Sequence, residues 1–239
     1  MKTAGLGLIL FCLGTVCASA QFGGFKKFIP GGKGGDVTAV TKQGQDMLSY
    51  VTIATDNGVK AVEALASVFP PDKVQKVADL AAKYNELKAK RNDQNVDSEG
   101  IQVSSQIAAE MAKLDSEWQT HLKEKSDAVK KADARLALVI LADGLAATKA
   151  PETAKALQSA AQNLKSDPTQ VSAMNRMLSM AAVLATVGKQ APEQVNSYTT
   201  VRGTAKRIAD AEKVQLAPDP SPDKVKDTVS LETATKELQ

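Results

Sequence analysis

Residues 40–69, VTKQGQDMLSYVTIATDNGVKAVEALASVF, carry the pattern that decides the fold. Apolar or small residues recur there every three or four positions, which is typical of the buried face of an amphipathic helix. The members of this stripe are Val40, Gly44, Met47, Val51, Ala54, Gly58, Val62, Leu65 and Phe69. Glycine costs about 1 kcal/mol relative to alanine inside a helix, so two glycines on one face predict a close approach of neighbouring helices.

The same periodicity continues along the rest of the chain. It predicts further helices at residues 74–87, 107–139, 157–164, 171–185 and 195–211. The third helix is expected to be very long or kinked, and Gly188 is expected to end the fifth. Prolines 71, 151, 168, 192 and 222 are predicted to open helices, where the missing N–H has no intrahelical partner to lose. No stretch alternates with period two for long enough to predict a strand, so we expect an all-α, antiparallel helical bundle of about six helices.

Four segments are predicted. Residues 1–20 form a signal peptide, residues 21–35 a flexible Gly/Phe/Lys leader, residues 36–216 the helical bundle domain, and residues 217–239 a Pro-containing linker with a weakly helical, frayed tail. The signal peptide has Lys2, an apolar run and then the small-x-small pattern that ends at Ala20, where cleavage is expected. The mature chain is therefore expected to be periplasmic or secreted, with no transmembrane span.

Both cysteines, Cys12 and Cys17, lie in the signal segment. Lipid attachment at Cys17 is an open alternative, although bulky Val16 stands where a lipoprotein signal prefers a small residue. Without cysteine the mature chain makes no disulfide, so its stability must come from a hydrophobic core.

The charges are mixed along the chain. Of the 30 basic residues Lys2 leaves with the signal peptide, so 29 basic residues face 27 acidic ones. A nucleic-acid-binding protein normally concentrates basic residues on one stripe, so we expect no nucleic-acid partner.

The leader, residues 21–35, is the main candidate contact site. Phe22, Phe25 and Phe28 are three of the four phenylalanines after residue 20, and Lys26 and Lys27 stand between them. Aromatic rings among lysines on a flexible segment favour contact with an anionic membrane surface or with a groove on a partner protein. The alternative is a leader folded back over the bundle, with its rings buried.

Catalytic and metal-binding residues are scarce. After residue 20 the chain has no thiol and one histidine, His121. His121 and Glu117 could act together as metal ligands, but two ligands are too few for a metal centre. Met174, Met177 and Met180 share a helical face, but without cysteine or histidine nearby they are interpreted as core rather than as a copper site. No phosphate-binding glycine motif occurs. We expect no metal, no cofactor and no enzymatic activity.

Residues 136–142, LALVILA, are the most apolar run after the signal peptide. Seven residues are too few to cross a membrane, so a buried central helix is favoured over a segment that inserts into lipid. The resulting hypothesis is a non-enzymatic secreted or periplasmic helical bundle that acts by binding in the cell envelope, as a scaffold, adaptor or chaperone-like protein. The alternative is a membrane-active or lipid-binding bundle.

Overall fold

A computed structural model describes residues 37–91, 98–114, 126–165 and 168–238. In these residues the helices are α1 (Val37–Ala66), α2 (Pro71–Ala89), α3 (Ser98–Ala112), α4 (Ser126–Asn163), α5 (Val171–Ala211) and α6 (Thr228–Lys236). Short 3-10 turns occupy Pro168–Gln170 and Pro222–Val225. The described residues contain no strand, and the predicted all-α bundle of about six helices is confirmed.

The three long helices α1, α4 and α5 form the frame of the bundle. α4 packs most extensively against α5 and next against α1. Near the start of α4, Asp133 binds Arg202 near the end of α5, whereas further along α4 Pro151 meets Gly188 of α5. These two helices therefore run antiparallel.

The buried side chains divide into two clusters along this frame. One cluster, which we call the leader half, joins residues 40–54 of α1, the second part of α4, the first part of α5, and α6. The other, which we call the far half, joins residues 59–69, α2, α3, the start of α4 and the end of α5. The helices α2 and α3 thus cover mainly one half of the long frame, and α6 covers the other.

The close approach predicted from the glycines of α1 is confirmed. A Cβ added at Gly44 would lie 2.9 Å from the Leu157 side chain, and one added at Gly58 would lie 2.2 Å from the Tyr198 hydroxyl. Any larger residue at these positions would push α4 or α5 away from α1.

Two prolines lie inside helices, contrary to the prediction that they open them. Pro151 is in the interior of α4 and Pro192 in the interior of α5, and Gly188 continues α5 instead of ending it. An interior proline removes a helix hydrogen bond and costs about 3 kcal/mol or more. Burial of neighbouring residues along both helices offsets this cost. The Pro151 ring occupies the space where a side chain at position 188 would lie, since a Cβ added at Gly188 would be 2.4 Å from it.

The predicted burial of residues 136–142 is confirmed for five of the seven, whereas Ile140 and Leu141 are half-buried. Leu136, Ala137, Leu138, Val139 and Ala142 are buried where α4 crosses from one core cluster to the other. Helix α3 ends at Ala112 and α4 begins at Ser126, so the middle of the long third helix predicted at 107–139 lies outside the described residues.

The prediction of a frayed C-terminal tail is wrong. Residues 217–238, the C-terminal strap, return along the bundle and end in α6, whose first turn is closed by a capping box between Asp227 and Ser230. Val225 and Leu231 are completely buried in the leader half. A helix this short is marginal alone, and its packing against α1 supplies the stability that its weak amphipathic pattern did not predict.

Candidate functional site

The start of α1, the end of α4 and the start of α5 meet at one end of the bundle. We call this the leader end and define it as residues 37–45, 153–165 and 168–178. Its helices are held together by the Gly44–Leu157 contact and by shared burial of Val40 and Met177 in the leader-half core. The leader joins the bundle here, because Asp36 directly precedes the first residue of α1.

A hollow opens at the leader end between the start of α1 and the start of α5. Its volume is about 360 Å³, and it is lined by Thr41, Thr169, Gln170, Ser172, Ala173 and Arg176. This lining is polar and contains a cation, whereas the side chains beside it on α5 are apolar.

Exposed apolar side chains gather in the leader half. The large hydrophobic residues that are exposed in the described part of the chain are Val171 (47%), Leu178 (42%) and Val229 (72%). Val171 and Leu178 lie two turns apart at the start of α5. Val229 is the second residue of α6 and follows Thr228, whose hydroxyl donates to the Asp46 carbonyl at 3.1 Å. Val171 and Leu178, on one face of α5, are therefore the candidates for a contact surface.

The described residues of the leader end carry only positive charges, whereas Asp36 and Asp167, which adjoin them in sequence, lie outside the described residues. Its charged residues within the described ranges are Lys42, Lys155, Lys165 and Arg176, all four exposed and all positive. The next acid along α1 is Asp46, one turn beyond Lys42, and burial raises the pKa of its carboxyl above the ordinary value while Lys42 opposes the rise.

The acids of the C-terminal strap lie deeper along the bundle. Asp223 and Asp227 precede Thr228, which contacts α1 at Asp46, and they are matched by Lys224 and Lys226. Over its whole length the strap has five acids, Asp219, Asp223, Asp227, Glu232 and Glu237, against the three bases Lys224, Lys226 and Lys236.

Helix α5 is the one helix among the described residues that is long and apolar enough to cross a membrane by length and composition. Its most apolar window has a mean hydropathy of 1.2, and 28% of that window is buried. Core helices of globular proteins meet the same criterion, and the window supplies the leader-half core with Met177, Met180 and Leu184.

The leader residues singled out in the sequence, Phe22, Phe25, Lys26, Lys27 and Phe28, lie outside the described residues. Their attachment point at the leader end is described, and it is there that the bundle itself exposes apolar side chains.

The other candidates are also placed. His121 and Glu117 lie outside the described residues. Met177 and Met180 are buried and Met174 is half-buried, as expected for core residues. In the described ranges, histidine, cysteine and acidic residues do not form any group of three that could hold a metal ion.

A layer of buried polar groups separates the two core clusters. Asp143 of α4 is 4% exposed, and its Oδ2 has no hydrogen-bond partner among the described residues. Burial raises the pKa of Asp143 to about 8, so the carboxyl is neutral at pH 7. Burial raises the pKa values of Tyr50 of α1 and Tyr198 of α5. The negative charge of ionised Asp143 raises both pKa values further.

Tyr198 is fixed within this layer. Its hydroxyl lies 2.8 Å from the Ser104 hydroxyl of α3, and its ring rests against the backbone of α1 at Gly58. The three frame helices each contribute a buried polar side chain to this layer, Tyr50 from α1, Asp143 from α4 and Tyr198 from α5.

A second polar cluster joins α1 to the end of α2. Asp56 accepts hydrogen bonds from the Tyr84 hydroxyl and from Arg91 Nη1, the latter at 3.1 Å, and Lys88 Nζ lies 2.9 Å from its other oxygen. The Arg91 guanidinium also stacks 5.0 Å from the centre of the Tyr84 ring. The carboxylate of Asp56 is thus held by three side chains, which is the arrangement of a structural joint, whereas the buried Arg91 Nε has no hydrogen-bond partner among the described residues.

A third cluster holds the C-terminal strap. Arg202 of α5 donates to both oxygens of buried Asp133, at 2.9 and 3.3 Å, and also to Asp219 of the strap. The Arg202 hydrogen bond lowers the pKa of Asp219. Arg135 of α4 donates to the Leu238 carbonyl at 3.0 Å, so the strap is bound at both of its ends.

The sequence patterns did not predict that residues of the bundle itself contribute to the candidate contact surface. Val171 and Leu178 lie in the helix predicted at 171–185, and its periodicity does not predict that their side chains are exposed. One signal was available: residues 177–188 contain no charged residue at all, so the outer face of that helix had to be uncharged as well as the inner face.

Comparison with protein-family models, curated proteins and solved structures finds no match for this chain.

Proposed function

We propose that the protein is a non-enzymatic helical bundle, periplasmic or secreted, that acts by binding in the cell envelope as a scaffold, adaptor or chaperone-like protein. The observation that carries this proposal is the leader end. Exposed Val171 and Leu178 lie on a rigid core at the point where the aromatic and basic leader joins the chain.

The internal polar groups support the same function, because their contacts are those of a frame. Asp56 binds Tyr84 and Arg91, and Asp133 binds Arg202, so each of these carboxylates joins two elements of the bundle. A frame with few internal degrees of freedom presents a contact surface at low entropic cost.

Position-dependent cross-linking in the native envelope tests this proposal. Leu178→Cys places a thiol on the exposed face of α5, and Lys131→Cys places one on exposed α4 in the far half as the matched control. Each is coupled to a benzophenone maleimide, irradiated, and its protein and lipid adducts are identified by mass spectrometry. Reproducible adducts at Leu178→Cys and not at Lys131→Cys are expected. The same adducts at both positions, or none at Leu178→Cys, would contradict a binding function for this surface.

A second candidate function is that of a membrane-active bundle, and the composition of α5 favours it. In that function α5 would leave the core and enter the bilayer. Release of a dye trapped in liposomes, dependent on protein concentration, is the expected result, and intact liposomes at saturating protein would rule it out.

A further inference from the structure

The C-terminal strap is joined to the bundle by an extended connection. Helix α5 ends at Ala211, and residues 214–221 lie in no helix or turn. Prolines stand at positions 218, 220 and 222, and each of them disfavours a helix at the residue before it and has no N–H to donate. The strap is therefore a segment with its own anchors, at the end of a connection that the prolines keep extended.

The connection begins with a turn that its sequence does not favour. Lys213 has a φ of 54°, and it is the one residue other than glycine with a positive φ in the described part of the chain. The turn is closed by the Val214 N–H, which donates to the Ala209 carbonyl at 2.8 Å. Glycine usually occupies such a position, because a Cβ disfavours the left-handed conformation by about fivefold or more.

The residues around this turn favour a longer α5. Residues 212–217, EKVQLA, contain no glycine or proline, and glutamate, lysine, glutamine, leucine and alanine are all good helix formers. A helix is compatible with this sequence until the restriction that Pro218 places on the residue before it. The local sequence and the path of the chain thus disagree in a hinge, and strained hinges favour exchange of the segment beyond them between two copies.

The anchors of the strap lie beyond this hinge. Val225 and Leu231 are completely buried in the leader-half core. The Val225 carbonyl accepts the 2.7 Å hydrogen bond from the Tyr50 hydroxyl, and the Thr228 hydroxyl donates to the Asp46 carbonyl at 3.1 Å. Tyr50 and Asp46 belong to α1, so the surface that receives the strap is formed without the connection. The strap of a second copy presents the same groups to that surface.

Beyond the binding function proposed above, we propose that two copies of this chain exchange their C-terminal straps and form a dimer. In the dimer α5 continues as a helix through Ala217, and each strap packs on α1 of the other copy. The buried contacts of Val225 and Leu231 form again between the chains, as is general for exchanged dimers. The left-handed turn at Lys213 is released in both chains, and each α5 gains about one and a half turns.

Concentration decides between the monomer and the exchanged dimer. A strap on its own connection has an effective concentration on the order of 1 mM. Release of the two left-handed turns favours the dimer by about fivefold each, about twenty-fivefold in total. Val214 and Leu216 are half-buried against the far half in the monomer, and their exposure opposes part of this gain. The dimer is therefore expected to dissociate with a Kd on the order of 0.1 mM.

Cross-links between two different variants test the exchange. The chain from Gln21 to Gln239 has no cysteine, so each introduced thiol is unique. Isotopically labelled Asp46→Cys is mixed with unlabelled Thr228→Cys well above the expected Kd, in mild urea that opens the strap, and the thiols are oxidised after the urea is removed. Mass spectrometry is expected to find a disulfide between labelled position 46 and unlabelled position 228, because an exchanged strap brings these positions of different copies together.

The matched control places the first thiol where no strap docks. Lys131 is exposed on α4 in the far half. Lys131→Cys mixed with Thr228→Cys is expected to give only the low yield of random collisions, and the yield of the first pair is measured against it.

A hinge variant separates exchange from other kinds of association. Lys213→Gly relaxes the left-handed turn in the monomer, so it is expected to raise the Kd of the dimer about twenty-fivefold in sedimentation equilibrium. Lys213→Ala removes the same charge but keeps the Cβ, so it is expected to leave the Kd close to that of the unaltered chain. Circular dichroism of each variant verifies that the helices are intact.

Three results would overturn the proposal. A chain that stays monomeric well above the expected Kd after the urea step would exclude the exchange. A dimer without the link between positions 46 and 228 would show association through another surface. An equal Kd for Lys213→Gly and Lys213→Ala would show that the turn does not drive the dimer. The binding function is tested separately, by the adducts at Leu178→Cys.

Discussion

The Tyr50 hydroxyl of α1 donates a 2.7 Å hydrogen bond to the backbone carbonyl of Val225, and both residues are completely buried. Burial raises the pKa of Tyr50, with a further rise from Asp143 and Asp227, so the phenol stays protonated and remains a donor. This bond joins the first helix to the C-terminal strap and closes the leader half of the core.

Replacing Tyr50 by phenylalanine is expected to loosen the strap. The Val225 carbonyl would be left buried without its donor, at a cost of about 1–3 kcal/mol in unfolding free energy. Urea unfolding measures this loss, and faster proteolysis near residues 217–222 would report release of the strap. Lys236→Ala, on the exposed face of α6, is the control, and equal proteolysis of both variants would contradict the prediction.

Replacing Asp143 by asparagine is expected to stabilise the protein at alkaline pH. The pKa of Asp143 is raised from 3.8 to about 8, so the folded state holds a proton that the unfolded state loses near pH 4. The contribution of Asp143 to the unfolding free energy is therefore fully present below pH 4. It decreases as the pH rises above 4 and is lost once the pH passes about 8. Asparagine does not titrate, so its advantage should grow over the same interval.

The measurement is urea unfolding of both proteins at pH 4, 6 and 9. The variant is expected to be more stable by about 1–3 kcal/mol at pH 9 and to be similar or less stable at pH 4. Tyr50 and Tyr198 face this carboxyl, and because their pKa values are raised they do not titrate within the interval. Parallel pH profiles of the two proteins would show that Asp143 is not the source of the dependence.

Gly58→Ala is expected to destabilise the bundle by about 1–3 kcal/mol, as overpacking does. The new methyl group would lie 2.2 Å from the Tyr198 hydroxyl, which is itself held by Ser104. Gly144 of α4 is the control, because a Cβ there meets nothing within 4 Å and Gly144→Ala should stabilise the helix by up to about 1 kcal/mol. Thermal unfolding of both variants checks the opposite signs, and a loss of similar size in both would argue against close packing at Gly58.

Gly188→Ala is expected to depend on its neighbour Pro151. In the unaltered chain the new Cβ would lie 2.4 Å from Pro151 Cγ and 3.5 Å from its Cβ, so only the ring is in the way. The substitution should cost about 1–3 kcal/mol alone and much less after Pro151→Ala. A double-mutant cycle measures this coupling, and additive effects within about 0.5 kcal/mol would show that the two residues do not constrain each other.

The parts of the fold that periodicity controls were predictable. The stripe on α1 and its two glycines gave both a helix and the positions of close packing, because a buried helix face repeats every three or four residues. The burial of residues 136–142 followed from their length and composition. Helix ends at prolines were less predictable, since Pro71 opens a helix whereas Pro151 and Pro192 are carried inside one by tertiary packing.

The C-terminal strap and the leader end depend on contacts between distant residues, which local pattern does not contain. The strap has few apolar anchors, and it is held by residues distant in sequence, among them Tyr50, Arg135 and Arg202. The basic surface likewise unites Lys42 with Arg176, residues far apart in sequence. Their common charge was visible, but their common location required the antiparallel frame.

The path of the C-terminal strap also orders events during synthesis. The core beside Tyr50 is completed by Val225 and Leu231. The leader half contains the start of α1, which is synthesised early, but its core is complete only after the strap has been synthesised. Until Val225 and Leu231 emerge from the ribosome, the part of α1 that α6 covers stays exposed, although α4 and α5 already pack on the rest, and contacts of such long sequence separation form slowly. A nascent chain that stops before the strap is therefore expected to expose the apolar surface of α1 that Val225 and Leu231 cover in the finished chain.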